Sequence, residues 1–283
     1  MKQPVLAGSP AGSANISPTQ SVQKYNPVLQ FFRKTLIITE LEVRKLLHDP
    51  TELVTRAIQP ALWLLIFGEV FAQTRAIPTG SLSYIDFIAP GILAQSVLFI
   101  AIFYGIAVIW ERDLGILHKF LASPASRGSL VLGKALSAGV RALSQEVIIF
   151  FLAFLLGVNI NWNPASLLLV TLVVILGASF FSTFSLIIAC LVKTRERFMG
   201  IGQLLTMPLF FASNAIYPIA SMPGWLQVIS RFNPLTYMVD ALRSLMIIGG
   251  TSVTGIGLDL VVLVVATLVL IIIGARLYPT IAY

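Results

Sequence analysis

The sequence contains few charged residues for its length. Only 11% of its 283 residues are Asp, Glu, Lys or Arg, whereas a soluble domain carries about 25%. Hydrophobic residues make up 57%, and the mean hydropathy is +0.90. A larger core does not explain the shortage, because a single soluble core stops growing near this chain length. The missing charge therefore excludes an ordinary soluble domain and indicates a chain whose solvent is lipid.

Cysteine and histidine are also scarce. A single cysteine, Cys190, excludes an internal disulfide. The two histidines, His48 and His118, both fall in segments that we expect to be cytoplasmic, whereas an intramembrane Ser–His dyad needs histidine at membrane depth. No H-E-x-x-H occurs, and no group of His, Cys, Asp and Glu has the spacing of metal ligands. The sequence thus predicts no catalytic residues and no metal or cofactor bound by this chain.

A near match to the phosphate-binding pattern G-x4-G-K-[ST] stands at residues 128–135. Its last position is Ala135, which has no hydroxyl for magnesium, and no strand precedes it. The apolar residues inside the match suit a helix that enters the membrane. We therefore expect that the chain does not hydrolyse ATP.

Six stretches are apolar enough to cross a bilayer, which takes roughly 20 residues. They run from about 58 to 73, 87 to 110, 139 to 158, 167 to 192, 198 to 217 and 258 to 275. Three Asn and a Pro within residues 159–164 predict the turn between the third and fourth spans. The predicted fold is therefore an all-α polytopic membrane protein with six transmembrane helices.

Acidic residues lie near the ends of these spans rather than at their centres: Glu69, Asp86, Glu146 and Asp259. Ion-coupled carriers use carboxylates or broken helices near the midplane. These carboxylates are therefore expected to be interface residues rather than a proton relay. An ATP-independent channel or an ion-coupled carrier is kept as the alternative function.

The positive charges predict the orientation. All but three of the 19 Lys and Arg residues lie on one side of the six predicted spans; the exceptions are Arg75, Arg231 and Arg243. Loops rich in Lys and Arg stay in the cytoplasm, so we expect both termini to be cytoplasmic. The net charge of +7 then reflects topology, and no nucleic-acid partner is predicted.

Three regions follow along the chain. Residues 1–25 are rich in Ser, Pro, Ala and Gly and are expected to form a disordered cytoplasmic tail. Residues 26–56 contain an amphipathic helix from Asn26 to His48, in which Asn26 is the N-cap and Pro27 fills the first helical position. This helix should lie against membrane lipid at the cytoplasmic interface. Residues 57–283 form the transmembrane domain. Within it, residues 221–257 predict a re-entrant or interfacial helical pair before the last span.

The loop at residues 111–127 has a distinct pattern. Leu114, Leu117 and Leu121 recur on one helical face, and the helix should stop before Pro124. Another protein surface is expected to pack against the apolar face of such a helix. The pattern alone does not decide whether a partner protein or the chain's own interface helix supplies it.

The same loop, E-R-x-x-G-x-L-x-x-x-L-x-S-P-x-S-R followed by L-x-L-G-K, resembles the signature of type-2 ABC exporter permeases. Two further blocks match, at residues 207–226 and 233–243. Within that family the sequence is most similar to the daunorubicin-resistance and nodulation-factor export permeases. Asn214 departs from the pattern, in which Gly is commoner.

The resemblance implies a transport subunit of a bacterial inner-membrane exporter, without enzymatic activity. A cytoplasmic ABC ATPase would carry ATP and magnesium, and a second permease copy or homologue would complete a dimer. Residues expected to couple to the ATPase are Glu111, Arg112, Leu114, Gly115, Leu117, Leu121, Ser123 and Pro124. Residues expected to form a gate or outer-helix motif are Pro208, Pro218, Pro223, Asn233, Pro234, Asp240 and Arg243. The substrate would be amphipathic, lipid-linked, or glycan- or drug-like.

Overall fold

The computed structural model describes residues 27–48, 51–74, 77–117, 126–192 and 194–279. Within these ranges the chain is built from helices joined by short loops, with one isolated antiparallel bridge between Ile160 and Ile247. The helices are α1 (Pro27–His48), α2 (Thr51–Thr74), α3 (Tyr84–Asp113), α4 (Arg127–Leu155), α5 (Pro164–Leu191), α6 (Arg195–Phe211), α7 (Gly224–Phe232), α8 (Pro234–Met246) and α9 (Ile256–Leu277). The predicted all-α polytopic membrane fold is confirmed.

Among the described residues, four helices are long and apolar enough to cross a membrane, namely α3, α4, α5 and α9. The other two predicted spans are shorter. In α2 the apolar part is Ile58–Phe71, and α6 has 17 residues. The number of six spans therefore stays a prediction, because α2 and α6 do not reach the usual spanning length on their own.

The centre of the bundle is α3, which packs against α2, α4, α5, α6 and α8. Glycines on α3 permit close approach. A side chain at Gly105 would collide with Ser185 of α5, whose hydroxyl instead accepts a hydrogen bond from the Gly105 N–H at 3.1 Å. A side chain at Gly91 would lie 2.3 Å from the Ala215 carbonyl oxygen. Small residues thus bring the helices together where lipid supplies no hydrophobic driving force.

Short polar residues begin the long helices. The side chains of Ser83, Ser126, Asn163 and Thr194 each accept a hydrogen bond from a backbone N–H in the first turn of α3, α4, α5 and α6, respectively. The turn predicted at residues 159–164 is confirmed between α4 and α5.

The helix α1 packs along α4 at one end of the bundle. The Thr39 hydroxyl donates to the Gly133 carbonyl at 3.2 Å, and a side chain at Gly133 would collide with Ile38. The other side of α1 exposes apolar side chains: Leu29, Phe32, Leu36, Ile37 and Leu41. This amphipathic character matches the interface helix predicted for residues 26–56. However, α2 begins at Thr51, inside that region, and residues 1–25 lie outside the described residues.

The predicted helical pair consists of α7 and α8, which differ in burial. Exposed apolar residues cover much of α7, among them Trp225 and Phe232. By contrast, α8 is inserted between α3, α5 and α9, and Leu235, Met238 and Leu242 are fully buried. Because α8 enters the bundle, the structure favours the re-entrant alternative over a pair that lies flat on the interface.

Cysteine labelling tests the predicted orientation. Starting from a Cys190→Ala background, Ser81→Cys and Thr251→Cys should react with an impermeant maleimide in intact cells, because both exposed positions lie on the side predicted to be outside. The exposed positions Ser126 and Glu196 lie at the other end of the bundle, so their cysteine variants should react only after permeabilisation. Labelling of Ser126→Cys in sealed cells would contradict the orientation.

Candidate functional site

The residues predicted to couple to an ATPase begin in the last turn of α3. Glu111 and Arg112 belong to that helix, and Leu114, Gly115 and Leu117 follow it directly. The other three, Leu121, Ser123 and Pro124, lie outside the described residues. The structure therefore shows how the predicted coupling segment begins and what holds it to the bundle.

Gly115 ends α3. Its φ of +70° lies in the left-handed region, and its N–H donates to the Arg112 carbonyl at 2.9 Å, a common way to terminate a helix. Among the described residues, no atom lies within 4 Å of where a Cβ at Gly115 would stand. Glycine is therefore favoured here by backbone conformation, and the role of Gly115 in coupling to an ATPase stays a prediction.

The two described leucines of the predicted apolar face point in different directions. Leu114 is 67% exposed, whereas Leu117 is 0% exposed. Leu117 belongs to a buried cluster that also contains Ile38 of α1, Leu130 of α4 and Tyr278 after α9. The chain itself, including its interface helix, thus covers Leu117, and Leu114 is the described leucine that presents apolar surface.

Glu111 forms a buried ion pair with α4. The Lys134 Nζ lies 2.6 Å from Glu111 Oε2, and the two side chains are only 2% and 9% exposed. Lys134 also lies 5.9 Å from the centre of the Tyr104 ring. Removing either charge would take this salt bridge away from a charged side chain that stays buried, which is costly. This pair explains the lysine of the near phosphate-binding pattern, and it places Glu111 inside the chain rather than at an exposed docking rim.

A second contact joins the end of α3 to the start of α6. Arg195 donates to Asp113 Oδ2 from Nε at 3.1 Å and from Nη2 at 2.8 Å. The Arg195 guanidinium also lies 4.0 Å from the centre of the Trp110 ring. Arg112 donates to the other oxygen of Asp113 at 3.1 Å. Exposed ion pairs are weak singly, but two Arg195 donors that share one carboxylate oxygen, together with the ring contact, define one orientation.

The end of α3 is therefore attached to both α4 and α6 just before the predicted coupling segment. Sequence analysis missed Asp113, Arg195 and Tyr278, and it interpreted Lys134 only as a false phosphate motif. Charge in a cytoplasmic loop is common, so no sequence signal distinguishes these pairs from ordinary solvated side chains.

Residues of two predicted motif blocks form a separate polar cluster at the other end of the bundle. Arg243 Nη1 lies 3.5 Å from Asp240 Oδ1, and Arg243 Nη2 donates to the Asn214 carbonyl at 2.7 Å. The Asn214 amide also donates to Asp240. The guanidinium stacks 3.8 Å from the centre of the Phe87 ring on α3. Asp240, Arg243 and Asn214 are all buried, so the structure unites these two motif blocks in one polar cluster.

The remaining predicted motif residues shape the backbone near α6 and α7. Asn233 caps α8 through Leu235 N–H, and its amide donates to the Leu209 carbonyl at 2.6 Å. Pro234 occupies the first turn of α8. Pro208 lies inside α6, while Pro218 and Pro223 precede the 3₁₀ turn Ile219–Ser221 and α7. These residues are not part of the Asn214–Asp240–Arg243 cluster.

Within the ranges that the structure describes, no three His, Cys, Asp or Glu side chains are grouped so that they could hold a metal ion.

A helical bundle with several membrane-length apolar helices, packed through small residues, defines a multi-pass membrane protein. Its sequence matches the profile of the ABC-2 type transporter family over residues 33–247. The chain belongs to this family and is a membrane subunit of an ABC transporter.

Sequence similarity to individual proteins supports the same family assignment. The chain is 30% identical to the ycf38 protein of Cyanophora paradoxa over 231 residues, covering 79% of this chain and 78% of the relative. It is 26% identical to the daunorubicin resistance ABC transporter permease protein DrrB1 of Streptomyces coeruleorubidus, covering 70% of each chain. It is 28% identical to nodulation protein J of Rhizobium meliloti, covering 63% of this chain and 67% of the relative. The predicted resemblance to drug-resistance and nodulation permeases is confirmed.

The Glu111–Lys134 pair should dominate the stability of this end of the bundle. Lys134→Met removes the Lys134 salt bridge from the buried Glu111 carboxylate and should lower the free energy of unfolding by about 3–5 kcal/mol. The double variant Glu111→Gln/Lys134→Met should recover much of this loss, because no uncompensated charge stays buried. Unfolding of the purified variants in detergent measures both effects. Equal stability of Lys134→Met and wild type would contradict the buried pair.

Proposed function

We propose that this chain is the permease subunit of an ATP-driven ABC exporter, and that residues 111–123 dock onto a separate cytoplasmic ATPase. The observation that carries the proposal is the end of α3. There the exposed Leu114 directly follows a helix that is attached to α4 by Glu111–Lys134 and to α6 by Asp113–Arg195. An exposed apolar residue at such a fixed position suits docking of a partner.

The two ion pairs at the end of α3 would allow movement of the ATPase to be transmitted to the helical bundle. A push on residues 111–123 would act on α3, α4 and α6 together, because ion pairs join them within the same turn. The buried cluster around Leu117 adds α1 and the end of α9 to the same unit. ATP and magnesium bound by the partner would supply the energy, and this chain would convert closure of the ATPase into rearrangement of the bundle.

A groove beside the C-terminal end of α6 supports the proposal of an amphipathic substrate. A groove of about 660 Å³ lies between α6 and α7, and its lining is mostly apolar. Residues of two predicted motif blocks contribute to it, including Pro208, Asn233 and Pro234. Such a groove suits the apolar part of a drug-like or lipid-linked molecule. Two relatives are named as daunorubicin and doxorubicin resistance permeases, and we extend only their substrate class to this chain.

The assembly follows from the same proposal. A second permease copy or homologue would complete a dimer, with the complex in a bacterial inner membrane and both termini in the cytoplasm. The interface helix α1 carries Arg33, Lys34 and Arg44 beside exposed apolar residues, which suits contact with anionic lipid headgroups.

ATP hydrolysis would belong to the partner, so the purified permease alone should show no ATPase activity in a phosphate-release assay.

Leu114→Asp tests the docking surface. Loss of one buried leucine contact is worth about 1.5–3 kcal/mol, or roughly a 10- to 150-fold weaker Kd. We therefore expect Leu114→Asp to reduce co-purification of the ATPase and to reduce efflux of a fluorescent substrate such as daunorubicin. Folding and insertion should be unchanged, because Leu114 is exposed in the permease.

Two other variants control this experiment. Val253→Asp makes the same kind of change at a residue that is 72% exposed at the opposite end of the bundle, and it should leave ATPase binding intact. Leu117→Asp should instead destabilise the permease, because that side chain is fully buried. Normal efflux by correctly inserted Leu114→Asp protein would favour an ATP-independent channel or an ion-coupled carrier over the exporter.

A further inference from the structure

The turn between α4 and α5 is paired with the end of the re-entrant helix α8. The Asn161 N–H donates to the Met246 carbonyl at 2.7 Å, and the Ile248 N–H donates to the Asn159 carbonyl at 2.9 Å. The isolated antiparallel bridge lies between these two hydrogen bonds, and both of its isoleucines are buried. Backbone hydrogen bonds and a buried apolar pair thus fix the end of α8 to this turn.

A carboxylate of α3 holds the same turn. Asp86 Oδ1 accepts from the Asn159 backbone N–H at 2.9 Å, and Asp86 Oδ2 accepts from the Asn159 side-chain amide at 3.0 Å. Asp86 is 4% exposed and stands in the first turn of α3, where the helix dipole favours a negative charge. Hydrogen bonds to a charged acceptor are stronger than those between neutral groups. Asp86 therefore attaches the turn firmly to α3.

Asn159 joins α3 to α8 through its own hydrogen bonds. Its N–H and its amide donate to Asp86, and its carbonyl accepts from Ile248. A direct contact between the two helices is longer, because Arg243 of α8 lies 3.4 Å from the Phe87 carbonyl, where a hydrogen bond is weak. The shorter bonds of Asn159 therefore define where the end of α8 lies relative to α3.

The helix α3 extends from this link to the predicted coupling segment. It runs as one helix from Tyr84 to Asp113, through Pro90. Asp86 and Glu111 are roughly 37 Å apart along it at 1.5 Å per residue. Packed rigid elements of this kind can carry a displacement from one site to another. A movement of α3 at the coupling end would thus reach the end of α8 through Asn159.

We propose that Asp86 and Asn159 are positioning residues for transport, which make the end of α8 follow the movement of α3. This proposal rests on the exporter function proposed above, in which the ATPase acts on the opposite end of α3. With the link broken, ATP hydrolysis continues while less substrate is exported for each ATP. A merely structural role would instead reduce the amount of assembled complex and leave that ratio unchanged.

Three variants separate the link from the turn that contains it. Asn159→Asp places a second carboxylate opposite Asp86 and removes the side-chain hydrogen bond. In the double variant Asp86→Asn/Asn159→Asp the donor and the acceptor are exchanged, so the amide on α3 can donate to the carboxylate in the turn. Asn161→Asp is the matched control, because the Asn161 amide donates to Ser166 rather than to α3.

The first measurement is hydrogen exchange of the purified full-length chain without the ATPase. Asn159→Asp should speed exchange at residues 246–248 by at least about fivefold, because hydrogen bonds to a carboxylate are lost. The double variant and Asn161→Asp should exchange as slowly as the wild type. Unchanged exchange in Asn159→Asp would overturn the proposal, since α8 would then not depend on the link.

The second measurement uses the chain in complex with its ATPase in liposomes. Asn159→Asp should export at least about fivefold less daunorubicin for each ATP hydrolysed, and the double variant should recover the wild-type ratio. Asn159→Ala should have a smaller effect, because it removes only the side-chain hydrogen bond. An unchanged ratio in Asn159→Asp would overturn the positioning role and leave the exporter function standing. Efflux by the wild type without ATP would instead overturn the exporter function, and this proposal with it.

Discussion

The buried ion pair between Glu111 and Lys134 is the interaction on which one end of this bundle depends. It places a charge from α3 and a charge from α4 together, where both side chains are almost completely buried. Taking two charges out of water is costly, and their mutual pairing offsets part of that cost. The pair therefore tolerates little separation, and it holds the end of α3, where the predicted coupling segment begins, at a fixed position on α4.

A second buried ion pair, between Asp240 and Arg243, lies at the other end of the bundle in different surroundings. Asp240 and Arg243 are also buried together, and a cavity lined by Arg243 and Asn214 adjoins them. The Glu111–Lys134 pair lies instead at the end of the bundle where Leu117 and Tyr278 belong to one buried cluster. One buried pair thus lies close to a packed cluster, while the other borders a cavity.

Sequence patterns predicted the helices better than they predicted the surfaces. The turn at residues 159–164 and the presence of a helical pair before α9 follow from Asn, Pro and Gly positions, because these residues act on the local backbone. The predicted apolar face contains Leu114 and Leu117, which differ in burial. Helical periodicity groups the two residues, yet the chain turns at Gly115 directly between them, so one is exposed and the other is buried.

What the sequence by itself determined is the class of the protein: its apolar runs, its lack of charge and three motif blocks indicate a polytopic permease, because lipid imposes length and composition on each spanning helix. Only the tertiary structure decided which charges meet. Lys134 and Glu111 are separated by 23 positions, and Arg195 and Asp113 by 82. No local pattern records such pairs, since they depend on how α3, α4 and α6 pack. The cavity beside Asn214 and Arg243 arose in the same way, from three chain segments that meet only after folding.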